Sequence, residues 1–144
     1  MSTKNDYQSL KNLYDKFMYV EERNKKGHII IDLNEFNKSQ YKNKDIIFFQ
    51  YSMFVIFEAL EISKKNNNIN KIIVHVNMVG TTRSNFSFKF FKRVNTLLEE
   101  AIPDEIMEVC YVYSKSKFVH VLWKLIYPIL HEDSRDKFKI INLK

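Results

Sequence analysis

The chain has 144 residues, of which 45% are hydrophobic and 15% aromatic, and its formal net charge is +6. This hydrophobic content excludes a disordered chain, and the length favours one domain with a core of ordinary size. Cys110 is the only cysteine, which excludes an intramolecular disulfide and favours a reducing compartment. Its apolar neighbours indicate a packed thiol rather than a nucleophile.

The termini and the charge limit where the protein acts and what it contacts. The N-terminus is polar and lacks the apolar core of a signal peptide, and no apolar run reaches the roughly 18 residues of a transmembrane helix. We therefore expect a cytoplasmic protein or a peripheral membrane protein. The positive charge suits an anionic partner, either a membrane surface or nucleic acid, and equally suits a lysine-rich solvated surface.

Two helices and one strand are predicted in the first half of the chain. Helical spacing of apolar residues predicts an amphipathic helix over 5–24, which packs on a sheet or binds a partner. Gly27 then precedes the β-branched run Ile29–Ile31, which is typical of a strand buried on both faces. Residues 32–44 predict a polar loop without the spacing of a calcium site. Segment 46–62 is apolar nearly all round, which predicts a helix between the sheet and a cavity, a lid or another subunit.

Strands and helices alternate in the second half. The run 72–77 predicts a strand that ends in a turn at Gly80. The helix predicted next, over 83–101, has Thr82 or Ser84 as its N-cap.

Three further elements complete the pattern. They are a strand over 109–113, a very apolar helix over 117–130 and a strand over 138–141. The alternation predicts a single α/β domain over 1–144 with a mainly parallel sheet of about four to five strands and crossover helices. Residues 1–26 supply its N-terminal helix and 27–144 its α/β core, and Ile73 and Val112 are expected in buried central strands.

Basic and aromatic residues are mixed on the helix predicted over 83–101. Lys89, Lys92 and Arg93 stand among phenylalanines, a pattern that binds nucleic acid through phosphate contacts and base stacking. The phenylalanines are better explained as core residues, so nucleic acid is the disfavoured partner.

The sequence lacks the common catalytic and metal-binding patterns. His28, His75, His120 and His131 have no zinc-ligand spacing, and no second cysteine could assist them. No G-x-S-x-G elbow is present, and no general acid–base pair can be argued. We expect a binding module rather than an enzyme, with no metal and no cofactor.

Four short motifs occur in an order that resembles a known family. Asn77–Gly80 ends a strand, Pro103–Ile106 follows a helix, and an aromatic-led helix runs from Phe118 through Trp123 to Leu130. The fourth is Lys137–Ile140, and together they resemble the CRAL-TRIO (Sec14-like) lipid-binding domain, to which Gly27–Ile31 is weakly similar. Asn77 departs from the aspartate usual in that family.

The resemblance implies that the protein binds a phospholipid or phosphoinositide in an apolar cavity, without catalysis. In this family, the helix corresponding to 117–130 is a gate over the cavity, and the far wall would include part of 46–62. The cavity and gate residues would be Phe54, Phe57, Phe118, Leu122, Leu125, Ile126 and Ile129.

The same resemblance implies a headgroup site and a membrane-facing loop. Asp104, Ser134 and Lys137 take the headgroup positions by their place in the motifs. Lys137 can meet a phosphate, while Asp104 and Ser134 can hydrogen-bond inositol hydroxyls. Lys115 and Lys117, before the gate helix, are predicted to dock it onto an anionic membrane.

Two other functions stay open at this stage. A regulatory module of the same fold, or of a similar small fold such as a STAS domain, would use its apolar helices to form a homodimer or bind a protein partner. A basic nucleic-acid binder would show strongly salt-dependent binding instead.

Overall fold

The protein was studied as a computed structural model, which describes residues 3–102, 105–115, 120–121, 123–124, 127–129 and 135–143. Three helices are described over their whole length: α1 (Thr3–Tyr14), α2 (Asp45–Asn67) and α3 (Phe88–Ala101). The strands are β1 (Met18–Arg23), β2 (Lys26–Asp32), β3 (Ile72–Asn77), β4 (Met107–Ser114) and β5 (Phe138–Asn142). Short 3-10 turns occupy Leu33–Glu35, Arg83–Asn85 and Tyr127–Ile129.

The strands form one sheet whose spatial order is the order of the chain, β1-β2-β3-β4-β5. β1 pairs antiparallel with β2, and the pairs β2–β3, β3–β4 and β4–β5 are parallel. Parallel neighbours need a crossover between them, and α2 and α3 supply the first two. The predicted α/β fold with a mainly parallel sheet is confirmed.

The N-terminal helix is shorter than predicted, because residues 18–23 form a strand instead of its second half. α1 ends at Tyr14, and β1 then turns back into β2 as a two-residue hairpin. Asn24 and Lys25 at the turn have φ angles of 53° and 63°. Such mirror-type turns match the twist of paired strands and usually carry glycine at the second position. Lys25 occupies that position here, so the sequence showed a charged turn but no hairpin signal.

α2 lies across β2 and β1, and Gly27 is where helix and sheet come closest. A Cβ atom at Gly27 would lie 1.9 Å from the main-chain oxygen of Ala59. The Gly27 N–H also donates a hydrogen bond to Ser63 Oγ over 2.9 Å. Gly27 therefore lies inside β2 rather than before it, and its missing side chain lets α2 seat on the sheet.

The nearly all-round apolar character of α2 is explained by neighbours on several sides. Tyr51 and Val55 are fully buried, and Phe48 packs against Phe90 of α3 with ring centroids 5.5 Å apart. On its other flank α2 meets α1. By length and composition alone, its 22 residues from Asp45 to Asn66 could also cross a membrane. Packing between the sheet and two helices accounts for the same composition.

α3 begins later than predicted. Ser87 is its N-cap, and the Ser87 hydroxyl accepts a hydrogen bond from Phe90 N over 3.3 Å. Thr82 and Ser84, the predicted caps, belong to the preceding loop, where their hydroxyl oxygens lie 2.8 Å apart. The loop is thus longer than the sequence indicated. Thr82, Ser84 and Ser87 are all suitable N-cap residues, so the sequence alone did not show which of them begins the helix.

Candidate functional site

The face of the sheet that carries α2, here called the inner face, is closed most tightly beneath that helix. Ile29 of β2 is only 3% exposed there. Along the same face, Val74 and Val76 of the central strand β3, and Phe138 and Ile140 of β5, are only partly buried. α3 packs mainly on α2 rather than on the strands. These four side chains pack against the core but keep some exposure, and the part of the inner face that they form is here called the recess.

β4 lies between β3 and β5 in the sheet, and its inner side chains are buried. Cys110 and Val112, on its inner face, are 2% and 8% exposed. Burial raises the pKa of the Cys110 thiol to about 12, so the thiol stays protonated at neutral pH. Cys110 is a packed residue, as expected from its apolar neighbours.

The crossover from β4 to β5 contacts the same side of the sheet. The Trp123 and Phe138 rings lie 5.3 Å apart, which places the crossover beside the recess. Residues 120–121 and 123–124 are helical, within the helix predicted over 117–130. The predicted gate residues Phe118, Leu122, Leu125 and Ile126, and the side chain of Ile129, lie outside the described residues.

The two cavity residues predicted on α2 have different surroundings. Phe54 stacks on Tyr7 of α1, with ring centroids 5.1 Å apart. Phe57 is 55% exposed and lines an open cleft of about 590 Å³ between the second half of α2 and the chain leading into β4. Ile102 and Ile106 form the opposite wall of that cleft. The residues of α2 that face the sheet are others, among them Val55.

Lys137 lies at the amino end of β5 and forms an ion pair that the sequence did not indicate. Its Nζ atom lies 3.2 Å from Oε1 of Glu105, which precedes β4. Glu105 also accepts a hydrogen bond from Met107 N over 3.2 Å, and Lys71 Nζ donates to its main-chain oxygen. Parallel pairing of β4 with β5 brings these residues together, because both stand at amino ends of neighbouring strands.

Asp104 and Ser134 of the predicted headgroup site, and Lys117 of the predicted docking loop, lie outside the described residues. Lys115 is exposed just after β4, at the opposite edge of the sheet from Lys137. Glu105 was missed because the motif names the residue directly after Pro103, which is Asp104. The register of β4 with β5 is what identifies Glu105 as the partner of Lys137.

The opposite, outer face of the sheet carries a chain of hydrogen-bonded rings. His28 Nδ1 and His75 Nε2 are 2.8 Å apart, and His75 Nδ1 is 2.8 Å from the Tyr113 hydroxyl. Burial lowers the pKa of both histidines, helped for His28 by the positive charge of Arg23. For His75 the second cause is the charge of His28. In the described part of the chain, no three His, Cys, Asp or Glu residues are grouped as metal ligands.

A mainly parallel sheet with sequential strands and crossover helices on its inner face defines a small α/β domain. The protein belongs to the CRAL/TRIO domain family, whose sequence model matches residues 13–144. This confirms the family resemblance read from the motifs, and with it a lipid-binding fold. Proteins of this family are generally lipid-binding and transfer proteins rather than enzymes.

Comparison with solved structures gives the same fold. The protein is similar to the crystal structure of Sfh5, with a TM-score of 0.72 and 14% sequence identity. The match covers 95% of this chain and 55% of that chain, so the protein spans about half the length of Sfh5. At this identity the likeness is one of fold alone. No curated protein sequence matches the chain.

Proposed function

We propose that the protein binds one phospholipid, of the phosphoinositide class, in the recess on the inner face of its sheet. The observation that carries the proposal is the partial burial of Val74 and Val76 on the central strand. Apolar side chains at the centre of a parallel sheet are normally covered by packed helices. An acyl chain between the strands and the crossover of residues 115–137 would complete that cover, with apolar contact as the main source of affinity.

The headgroup belongs at the amino edge of β4 and β5 in this proposal. Lys137 stands one residue before Phe138 of the recess and offers a cation to a phosphate. Its partner Glu105 is a carboxylate that can accept hydrogen bonds from inositol hydroxyls. Their side chains are 24% and 32% exposed, so the pair is open enough to be reached by a ligand. Asp104 and Ser134 remain predicted members of this site.

Membrane contact would occur at the opposite edge of the sheet. Lys115 and Lys117 stand at the start of the crossover that covers the recess, where they can attract anionic headgroups. The loops at 114–117 and 131–136 would act as hinges when the crossover opens to admit lipid. Such a protein would work in the cytoplasm and at the surface of a membrane.

The test is the mass of lipid carried by the purified protein. After incubation with vesicles of phosphatidylcholine and phosphatidylinositol, native mass spectrometry should detect one lipid per chain. Leu122→Trp should fill the recess and reduce the lipid-bound fraction without changing the melting temperature. Val121→Trp is the matched control, because Val121 of the same crossover is 55% exposed. A wild-type protein that stays free of lipid would refute the proposal, and a lipid-free dimer would favour a protein-interaction module.

A further inference from the structure

The end of the helix layer where α2 and α3 begin exposes apolar side chains among cations. We propose that this end, called the docking patch, inserts into the surface of an anionic lipid bilayer. The docking patch consists of Leu13, Lys42, Lys44, Ile46, Ile47, Phe88, Lys89, Lys92 and Arg93. It shares no residue with the recess or with the headgroup site, so it extends the proposed function without resting on it.

The centre of the docking patch is aliphatic. Ile46 and Ile47, in the first turn of α2, are 47% and 41% exposed. Leu13, in the last turn of α1, is 71% exposed. The two turns are neighbours, because the Tyr14 and Phe48 rings lie 6.2 Å apart. Side chains of this kind gain nothing from water and would gain from the apolar layer of a bilayer.

Cations flank these side chains on the α3 side. Arg93 Nε lies 3.4 Å from Asp45 Oδ2, which joins the middle of α3 to the residue directly before Ile46. Lys89 lies one helical turn before Arg93, and Lys92 is adjacent; both are exposed. The Phe90 and Phe48 rings, 5.5 Å apart, hold the first turns of the two helices together.

The loop before α2 adds cations on the other flank. The Tyr41 ring packs 5.6 Å from Tyr14, which fixes this loop beside the end of α1. Lys42 and Lys44 follow Tyr41 and are exposed. Lys44 is also the N-cap of α2 and makes no side-chain capping hydrogen bond, so the positive end of the helix dipole adds to the field there.

The carboxylates near this end are fewer than the cations, and the one that contacts α3 offsets the charge of Arg93 but not that of Lys89 or Lys92. Asp45 is paired with Arg93. Asp15 follows α1 and Glu35 follows β2, and their negative charges act on Tyr51 and Tyr41 respectively. The patch is therefore attractive to an anionic surface, and most strongly along α3.

The patch suits a bilayer better than nucleic acid. Single strands bind by stacking bases on exposed aromatic rings. Phe48 and Phe90 at this end are only 3% and 8% exposed, and Phe88 is 37% exposed at the start of α3. The apolar centre is thus mainly aliphatic, which serves insertion among acyl chains and offers no series of rings to bases.

The experiment measures binding of the full chain to vesicles of phosphatidylcholine with about 30% phosphatidylserine, in low and in high salt. We expect salt-sensitive binding that is lost on pure phosphatidylcholine. Lys89→Glu/Lys92→Glu should weaken binding about tenfold or more, the scale expected when two lysines worth roughly 1 kcal/mol each are lost. Ile46→Gln/Ile47→Gln should weaken it in high salt as well, where the charges are screened.

Matched controls separate the patch from net charge. Lys64→Glu/Lys65→Glu makes the same change at the other end of α2, and Ile69→Gln removes an apolar side chain that is 37% exposed there. Both controls should bind vesicles like the wild type. Equal loss in both lysine pairs, or no loss in either, would overturn the proposal. So would a wild-type protein that ignores vesicles but binds oligonucleotides. Lipid capture by mass spectrometry reports on the recess separately, so either proposal can fail alone.

Discussion

His28 and His75 share a hydrogen bond across two parallel strands, with 2.8 Å between His28 Nδ1 and His75 Nε2. Because one nitrogen must donate and the other accept, at least one of the two facing nitrogens carries no proton. Tyr113 continues the chain at His75 Nδ1. Nε2 of His28 is buried and has no hydrogen bond within the described ranges. Protonation breaks the bond between the rings only when both facing nitrogens carry a proton.

The pair predicts that the protein loses stability on mild acidification. Burial lowers the pKa of His28 and of His75 below the ordinary value of 6.5. The unfolded chain therefore binds more protons than the folded chain as the pH falls below 6.5, and unfolding becomes easier. The full contribution is present above that pH. Urea unfolding at pH 7.5 and pH 5.5 would measure it, with a slope limited to about 1.4 kcal/mol per pH unit for each proton.

Charged side chains around the histidine pair also shift the pKa values of the two rings, and variants test whether the pair causes the pH dependence. Glu21 raises the pKa of both histidines, while Lys26 lowers that of His28. His75→Phe should flatten the pH dependence. His120→Asn is the control, because His120 is exposed. The same pH dependence in His75→Phe as in the wild type would contradict this account.

Gly27 and Gly80 predict very different costs for the same substitution. Gly27→Ala would place Cβ 1.9 Å from Ala59 O, so α2 must move off β2; we expect a loss of about 3 kcal/mol or more. Gly80→Ala would meet only Asn34 Oδ1 at 3.4 Å, and its φ of 81° costs about 1 kcal/mol. Thermal unfolding of both variants measures the difference, and equal losses would contradict the close packing at Gly27.

The sequence predicted that Ile73 and Val112 both lie in buried central strands, but the structure gives the two side chains different burial. Val112 is 8% exposed on the inner face, whereas Ile73 is partly buried on the outer face, over which no described helix lies. Val112→Asp buries an unpaired charge and should prevent soluble folding, a loss of several kcal/mol. Ile73→Asp should fold with reduced stability. Soluble yield and melting temperature of the two variants test this difference. A Val112→Asp variant that melts at the wild-type temperature would refute the burial of Val112.

Lys137 predicts selectivity for anionic headgroups. Lys137→Met keeps the aliphatic stem and removes the charge, so capture of phosphatidylinositol should fall about tenfold or more. Capture of phosphatidylcholine from the same vesicles should change little. Lys139→Met is the control, because Lys139 lies on the outer face of β5 and is exposed. Equal loss of both lipids would assign Lys137 to stability rather than to the headgroup.

The fold could be predicted wherever one element repeats one signal over its whole length. β-branched runs marked β2 and β3, and the long apolar segment marked α2. β1 could not be predicted, because Met18 to Val20 continue the helical spacing of α1 and the turn at Asn24 and Lys25 lacks a glycine. Residues 18–23 form a strand because they pair with β2, and that pairing is a tertiary contact that a local sequence pattern does not reveal.

The candidate site was predicted only to the level of its motifs. The motifs named Lys137, but the partner Glu105 depends on the parallel register of two strands. Likewise His28 and His75 are 47 residues apart, and only the sheet brings their rings together. The exposed face of Phe57 could not be foreseen either, because an all-round apolar helix gives no indication of which side remains uncovered.

The strand order has a consequence for how the domain opens. Among the described residues β5 is an edge strand that pairs with β4 alone, so it can detach without breaking another of the described ladders. Release of β5 would also free the end of the crossover beside it, through the contact between Trp123 and Phe138. In hydrogen–deuterium exchange, the amides of Phe138–Asn142 are therefore expected to exchange well before those of Ile72–Asn77.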